Sequence, residues 1–459
     1  MTATGRLAEF TLSTRLADCP GQARAAVRRA ALDTIGVTLA GAGEPAAQVV
    51  RRVVRAEGGI PLCTVVGTRL RAPATGAALA NGVAGHAHDF DDTNFALMGH
   101  PSVPLLAVSL AAAEAETADG AAVALAYITG FEIAAAVGVA VNPAHYARGW
   151  HATSTIGSLA CAAAAAKILG LDVGATQTAL GIAASLASGL KENFGSMTKP
   201  FHAGHAARNG MWAACLAREG LTASLSALDG PQGYLAAFGS PANIDAALDG
   251  LGRHWHLLES GIAVKPYPSC ALTHSAVDAL IDLRERHGLD PDQISQVEVG
   301  VTGVVPTVLI HSRPVTALER KFSMEFCAAT ALSDGQLTLE SFDKGPPRPA
   351  VEKLMGRVSM VVDPALPSDR EQHAWTRVSV HLADGRILES PPRGARGHPD
   401  QPLSDEALHA KFLACATRVL PHGEAEAVAE QIHAFEAIPD IRALTARLVG
   451  DLDERDEFA

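Results

Sequence analysis

Residues 261–270 read Gly261-Ile262-Ala263-Val264-Lys265-Pro266-Tyr267-Pro268-Ser269-Cys270, and this stretch divides the chain into two kinds of structure. Two prolines in three residues cannot continue a helix, because each lacks a backbone N–H and fixes φ. Upstream, apolar runs broken by Gly, Pro and polar residues predict helices at about 22–42, 77–88, 103–117, 120–140, 155–169, 174–189 and 203–219. Downstream, a helix is expected at 269–287, capped by Ser269. The pattern then changes. Ile294, Val297, Val299 and Val301 suggest a strand, and residues 359–362 a second. Val378, Val380 and Leu382 alternate before Asp384-Gly385 turns the chain into Ile387 and Leu388, a β-hairpin signature. A polar, Pro/Gly-rich segment follows at 391–403, and helices are expected again at 405–419, 424–436 and 439–449. The reading is a mainly α protein. A large helical domain is built from both chain ends, residues 1–263 and 396–459, and is interrupted by a smaller α+β lid domain over 264–395. Such insertions are tolerated where the inserted ends lie close together, and a boundary between domains is a common place for a small-molecule cleft.

Composition agrees with this division. With 459 residues, 48% of them hydrophobic, the chain exceeds the size at which one core usually stops growing. Aromatic residues are only 5%, while alanine and glycine abound, so closely packed helices are expected. The net charge is −12 and no basic run stands out, which argues against a nucleic-acid partner. An anionic small molecule remains open, since a few converging lysines can hold one inside an acidic protein. The seven cysteines are odd in number, widely spaced and free of any C-x-x-C, as expected of reduced thiols in a cytoplasmic protein. Arg6, Glu9, Arg15 and Asp18 precede any long apolar run, unlike a signal peptide. The most membrane-like stretch, 120–141, is rich in Ala and Gly and contains Glu132, so a buried helix is expected there and no membrane span.

The strongest chemical signal is His86-Ala87-His88-Asp89-Phe90-Asp91-Asp92-Thr93, followed by His100-Pro101-Ser102. Three carboxylates in four residues repel one another unless cations, hydrogen-bond donors or a catalytic task compensate. On a helix, Asp89 and Asp92 would share a face and Asp91 would point elsewhere. His100 suits general acid/base work near neutral pH. The same residues are able to ligate a divalent ion, or to cap a helix in solvent, and the sequence leaves these open. A second segment, Met197 to Gly210, places Lys199 before Pro200, with a helix expected just after it and His202, His205 and Arg208 nearby. A lysine beside a helix N-terminus favours an anion. Lys265 repeats that logic before the helix carrying His274. His151 lies in Gly149-Trp150-His151-Ala152-Thr153-Ser154-Thr155-Ile156-Gly157, at a helix start where a structural role is the commoner one. Arg320-Lys321-Phe322-Ser323-Met324-Glu325-Phe326 offers a cation or a hydroxyl, or simply begins a core helix. No dinucleotide fingerprint, P-loop or G-x-S-x-G occurs.

Taken in this order, DFDDT…GHPS, GWHATSTIG, MTKPFHAGHAARNG, KPYPSCALTH and KFSMEF resemble the MmgE/PrpD family over nearly the whole chain. That family includes 2-methylcitrate dehydratase, cis-aconitate decarboxylase and iminodisuccinate epimerase. The resemblance implies a helical domain from both chain ends, an α+β lid, a site between them, a homodimer, no organic cofactor and no required metal. It places Asp89, Thr93, His100, His151, Lys199 and Lys265 on active-site positions. Lys199 and Lys265 would hold carboxylates of a small anionic acid, and Thr93 would orient substrate. His100 would be the leading proton donor or acceptor and His151 the opposite-face acid or base. Asp89 would orient substrate or the histidine, and Lys199 with Lys265 would also stabilise developing negative charge, with His202, Ser323 and Lys321 as further substrate-binding candidates. Decarboxylase-type members carry a tyrosine in the region of Phe326, so the missing hydroxyl speaks against decarboxylation. A 2-methylcitrate dehydratase-type hydro-lyase is the leading expectation. An iminodisuccinate epimerase-like isomerase follows. A metal-dependent hydrolase or a non-catalytic carboxylate-binding protein would be of another class.

Overall fold

The computed structural model describes residues 1–239, 244–342, 345–367 and 374–452. The first part of the chain is helical. Its main elements are α1 (Gly21–Gly41), α2 (Ala74–His86), α3 (Ser102–Glu116), α4 (Gly120–Val141), α5 (Ala152–Ile168) and α6 (Thr198–Arg218). Small residues let these helices approach closely. A Cβ added at Gly82 of α2 would lie 2.6 Å from the Gly204 Cα of α6. A Cβ at Gly204 would lie 2.3 Å from the Leu79 carbonyl oxygen, inside any van der Waals contact. This crossing sets the last turn of α2 beside the first turn of α6.

Helix α4 is long and apolar enough to cross a membrane by length and composition, yet most of it is buried within the fold. Glu132, in its middle, is fully buried and accepts the backbone N–H groups of His256 (2.8 Å) and Leu257 (2.9 Å). Those are orphan donors at the start of the short helix His256–Glu259. The charge-bearing residue in the apolar run is thus a cap for another element.

After Lys265 the chain builds a second hydrophobic cluster. Helices α7 (His274–His287) and α8 (Met324–Asp334) pack with strands β1 (Ile294–Val301), β2 (Val358–Val362), β3 (Thr376–Leu382) and β4 (Ile387–Arg393). The strand order is β2-β1-β3-β4, with β1 parallel to β2 and the other pairs antiparallel. Val299 pairs with Val378, and Val297, Val299, Val301, Val378 and Val380 are all fully buried, as the alternation required. Gly385 adopts φ 89° in the turn to β4. The chain then returns to the first cluster through α9 (Asp405–Ala416) and α10 (His422–His433), whose Phe412 and Ile432 join the core of α1 to α6. All seven cysteines are free.

Two expectations differ from the structure. The helix expected at 269–287 begins at His274, after a 3-10 turn at Ala271–Thr273. Ser269 does not cap it. Its hydroxyl pairs with Thr273 Oγ1 (2.9 Å), and the Cys270 N–H is held by the Lys321 carbonyl (2.9 Å). The helix expected at 439–449 is one α turn, Arg442–Thr445, followed by a 3-10 turn, Ala446–Leu448. Buried Ile441, Leu444 and Leu448 gave the helical spacing, but the Leu448 carbonyl accepts the Gly67 N–H (2.7 Å) and leaves the helix axis.

The α2–α6 crossing yields a test. Gly204→Ala forces its Cβ onto the Leu79 carbonyl and should cost about 1–3 kcal/mol, as overpacking does. A lowered denaturant midpoint at unchanged m-value is the expected result. An unchanged midpoint would mean that the helices are not in contact there.

Candidate active site

Helix α2 ends at His86, and the chain then turns sharply, with Asp89 at φ 52°. Asp89 and Asp92 therefore do not share a helix face, contrary to expectation. The three carboxylates point three ways, which relieves their repulsion. Asp92 turns inward to the Ser102 N–H (3.3 Å) and hydroxyl, which in turn meets Tyr127 (2.6 Å). Burial, with Asp33 and Asp91 nearby, pushes Asp92 up to about 8, so it keeps its proton at neutral pH and is a structural acid. Asp91 lies beneath two histidines. Both its oxygens are 2.9 Å from His86 Nδ1, and Oδ2 is 3.1 Å from His100 Nδ1, close but poorly directed for a hydrogen bond.

Asp89 faces the cleft. Its Oδ1 accepts from Lys199 Nζ and from Lys265 Nζ, both at 2.8 Å, and Lys265 also donates to the Asp89 carbonyl at 2.8 Å. Its Oδ2 is buried and has no partner among the described residues. Local structure explains how these three groups meet. Lys199 sits in the first turn of α6, which begins at Thr198. The helix expected just after Lys199 already includes it, because the missing N–H of a first-turn proline has no helical partner to lose. Lys265 is delivered by the segment that links the two hydrophobic clusters, held by an isolated antiparallel bridge two residues earlier. Ala263 and Thr93 exchange both backbone hydrogen bonds (2.8 and 2.9 Å), and Val264 N–H is held by Gly397 (2.9 Å). His100 is fixed by its N–H on Thr153 Oγ1 (3.0 Å), next to His151, the residue that precedes α5.

These groups line one cleft that, with its mouth, encloses about 730 Å³. Asp89, Thr93, His100, His151 and Lys199 form its polar side with Lys265; Leu272, Val304 and Val308 come from the inserted segment, and Phe194, Phe322 and Tyr146 complete the wall. Thr93 Oγ1 is buried and unpartnered there. Burial outweighs the attraction of Asp91 and, with Lys265 and Lys199 nearby, lowers the pKa of His100. Burial, Lys199 and His202 hold His151 well below the usual range. Burial raises Asp89, but Lys199 and Lys265 outweigh it and keep the carboxylate ionised. With neutral histidines, two ammonium groups balance the charges of Asp89 and Asp91.

Comparison with known proteins agrees with this architecture. The model of the MmgE/PrpD N-terminal domain matches residues 5–247, and that of the MmgE/PrpD C-terminal domain matches residues 267–437. The chain belongs to the MmgE/PrpD family. It is 31% identical to a cis-aconitate decarboxylase of Mus musculus over 439 residues, 92% of this chain and 88% of the relative. It is 32% identical to that of Homo sapiens over 396 residues, 83% and 80% of the two chains. A cis-aconitate decarboxylase of Aspergillus terreus is 26% identical over 414 residues, 83% and 82%.

Within this member of the family, six of the residues expected from sequence line the cleft: Asp89, Thr93, His100, His151, Lys199 and Lys265. Three do not. His202 stands behind His151, with its Nδ1 3.0 Å from His151 Nδ1. Ser323 caps α8, its hydroxyl accepting the Phe326 N–H (3.1 Å). Lys321 donates to the carbonyls of His88 (2.8 Å) and Pro268 (2.9 Å), pinning two loops from behind. Arg208 points away, toward Glu57. Phe326 is a core residue packed on Phe342, so the aromatic of that segment facing the cleft is Phe322. The sequence reading missed His86, which passes between Lys199 (3.1 Å to Nε2) and Asp91, although it opens the His/Asp run. Candidate metal-ligand atoms of His86, Asp89, Asp91 and His100 lie within 4.8 Å of one another. Lys199 occupies lone pairs of His86 and Asp89 that a cation would need, and its charge opposes one.

The field at His100 has a sign that can be measured. Removing the anion in Asp91→Asn should lower the His100 pKa further, and removing a cation in Lys265→Met should raise it. Histidine NMR titration of the two variants checks both. Shifts of the opposite signs would place His100 in a different electrostatic setting.

Proposed function

We propose that this chain is a cofactor-independent lyase of small di- or tricarboxylic acids, working by proton transfer at a carbon beside a carboxylate. The observation that carries this reading is the convergence of Lys199 and Lys265 on one oxygen of Asp89 in a cleft walled by two histidines of lowered pKa. Two ammonium groups suit two carboxylates of one substrate, and they stabilise negative charge that develops when a neighbouring C–H bond breaks or forms. Histidines kept neutral by burial are available as bases. Thr93 and the free oxygen of Asp89 offer further hydrogen-bonding positions.

Two exits from this chemistry have support. The resemblance put dehydration first and disfavoured decarboxylation because Phe326 lacks a hydroxyl. That ring lies outside the cleft, so its lack of a hydroxyl has no direct bearing there. The relatives named above as cis-aconitate decarboxylases bring decarboxylation forward as the first exit to test. In it, the alkene CH carbon takes a proton with the old π pair, while the carboxylate on the allylic CH2 at the other end leaves as carbon dioxide and its C–C bonding pair becomes the shifted double bond. Dehydration of a 2-methylcitrate-type acid is the second reading. It needs a base for the C–H and an acid for the departing hydroxyl, and His100 and His151, with ring centroids 6.3 Å apart, supply such a pair.

Proton NMR in D₂O on cis-aconitate, 2-methylcitrate, citrate and iminodisuccinate tests the reading. Turnover or deuterium entry at a carbon beside a carboxylate is expected with at least one. A folded protein that exchanges none of them would leave only a carboxylate-binding role. On the acid that turns over, His100→Ala should lose roughly 10²-fold or more of kcat. Lys199→Ala and Lys265→Ala should both raise KM and lower kcat, and wild-type kinetics in either would remove that lysine from the site.

A further inference from the structure

His151 and His202 meet nitrogen to nitrogen, Nδ1 to Nδ1 at 3.0 Å, with both rings buried. At that distance a single hydrogen bridges the two atoms. Two N–H groups would collide, and two bare lone pairs would repel. The tautomers are therefore coupled. When His151 carries the bridging hydrogen, its Nε2 is a bare base. When His202 carries it, His151 Nε2 bears the proton and is an acid. Among the described residues neither Nε2 has a protein partner, and neither is sealed from solvent contact. His151 lines the cleft, whereas His202 does not.

We propose that His151 and His202 form a two-ring proton relay, in which His202 sets the protonation of the face His151 turns to the cleft and connects it to solvent outside. In the outward direction, His151 Nε2 takes a proton from substrate, the Nδ1–H of His151 passes to the lone pair of His202 Nδ1, and His202 Nε2–H leaves to water. The return path is the reverse, so each transit leaves the pair ready for the opposite one. His100 differs. Its Nδ1 faces the buried Asp91 carboxylate, which stays ionised between His86 and His100 and is not a second ring that can exchange one tautomer for the other. His202 thus acts through His151, as a positioning and relay residue that does not touch substrate.

The turnover arm of the test rests on the lyase reading, while the tautomer arm needs no substrate. Long-range ¹H–¹⁵N spectra of [¹⁵N]histidine-labelled, substrate-free protein should show His151 and His202 as a coupled pair of opposite tautomers at Nδ1. His202→Phe should release the His151 tautomer. His202→Gln, whose amide reaches the same nitrogen, should hold it without passing protons. On whichever of cis-aconitate, 2-methylcitrate, citrate or iminodisuccinate the wild type consumes, both variants should lose about tenfold or more of kcat with KM within about twofold. Independent tautomers in the wild type, or wild-type kcat in His202→Gln, would overturn the relay. A wild type that neither consumes nor exchanges any of cis-aconitate, 2-methylcitrate, citrate and iminodisuccinate defeats the lyase reading, and the tautomer spectra then decide the relay alone.

Discussion

The structure is organised around one buried carboxylate shared by two lysines. Asp89 comes from the turn after α2, Lys199 from the start of α6, and Lys265 from the bridged connection that leads into the inserted segment. Withdrawing three ionised groups from water is costly, and their attraction offsets it only when the geometry is held closely. Removal of one partner from such a buried set typically costs about 3–5 kcal/mol, because an uncompensated charge is left behind. Asp89 also stands in the left-handed region at φ 52°, which a non-glycine residue keeps only where its surroundings over-determine it. Here the surroundings are Lys265 on both its carbonyl and its side chain, and Lys199 on the same carboxylate oxygen.

That arrangement depends on the unusual composition of the helices. Lys199 reaches Asp89 because Gly82 and Gly204 let α2 and α6 touch backbone to backbone. A core of larger side chains would hold the helices farther apart, and the lysine would fall short of the turn. The C-terminal helices serve the same loop from the other side. Lys411 of α9 donates to the Phe90 carbonyl (2.7 Å) and pairs with Asp33 of α1 (2.6 Å). The turn carrying the three carboxylates is thus held by segments more than three hundred residues apart in sequence.

Much of this was legible in the sequence, for identifiable reasons. Helix spacing, the proline break at 266–268 and the Asp384-Gly385 turn each have a local cause, and each appears where expected. Lys199, Lys265, Asp89, Thr93, His100 and His151 were marked by residue type and by resemblance, and all six reach the cleft. What failed was direction. Sequence shows that Ser323, Lys321 and His202 are polar, but not which way they face, and their partners are backbone groups or another histidine contributed by remote segments. For Asp91 the cause is the same, since a helical turn would send it elsewhere, whereas the chain bends at Asp89 and brings it beneath His86 and His100. Phe322 and Phe326 are four residues apart, and only the start of α8 decides which of them meets the cleft.

The charge balance of the empty cleft bears on how it handles an acid. Lys199 and Lys265 are already matched by Asp89 and Asp91, so a dianion or trianion entering the site leaves it negative. Negative charge near a buried imidazole favours the protonated form. Burial and the two ammonium groups depress His100 and His151 in the free protein, and a bound polyanion works against that depression. On the proposed reading, binding would be accompanied by proton uptake, and a histidine that is a base in the free protein would become an acid once a polyanion is bound. Decarboxylation and dehydration each need that acid, the first to protonate carbon and the second to protonate the leaving hydroxyl. On that reading, a substrate that brings its own negative charge would create the proton donor its reaction requires, without any acidic side chain of unusual strength.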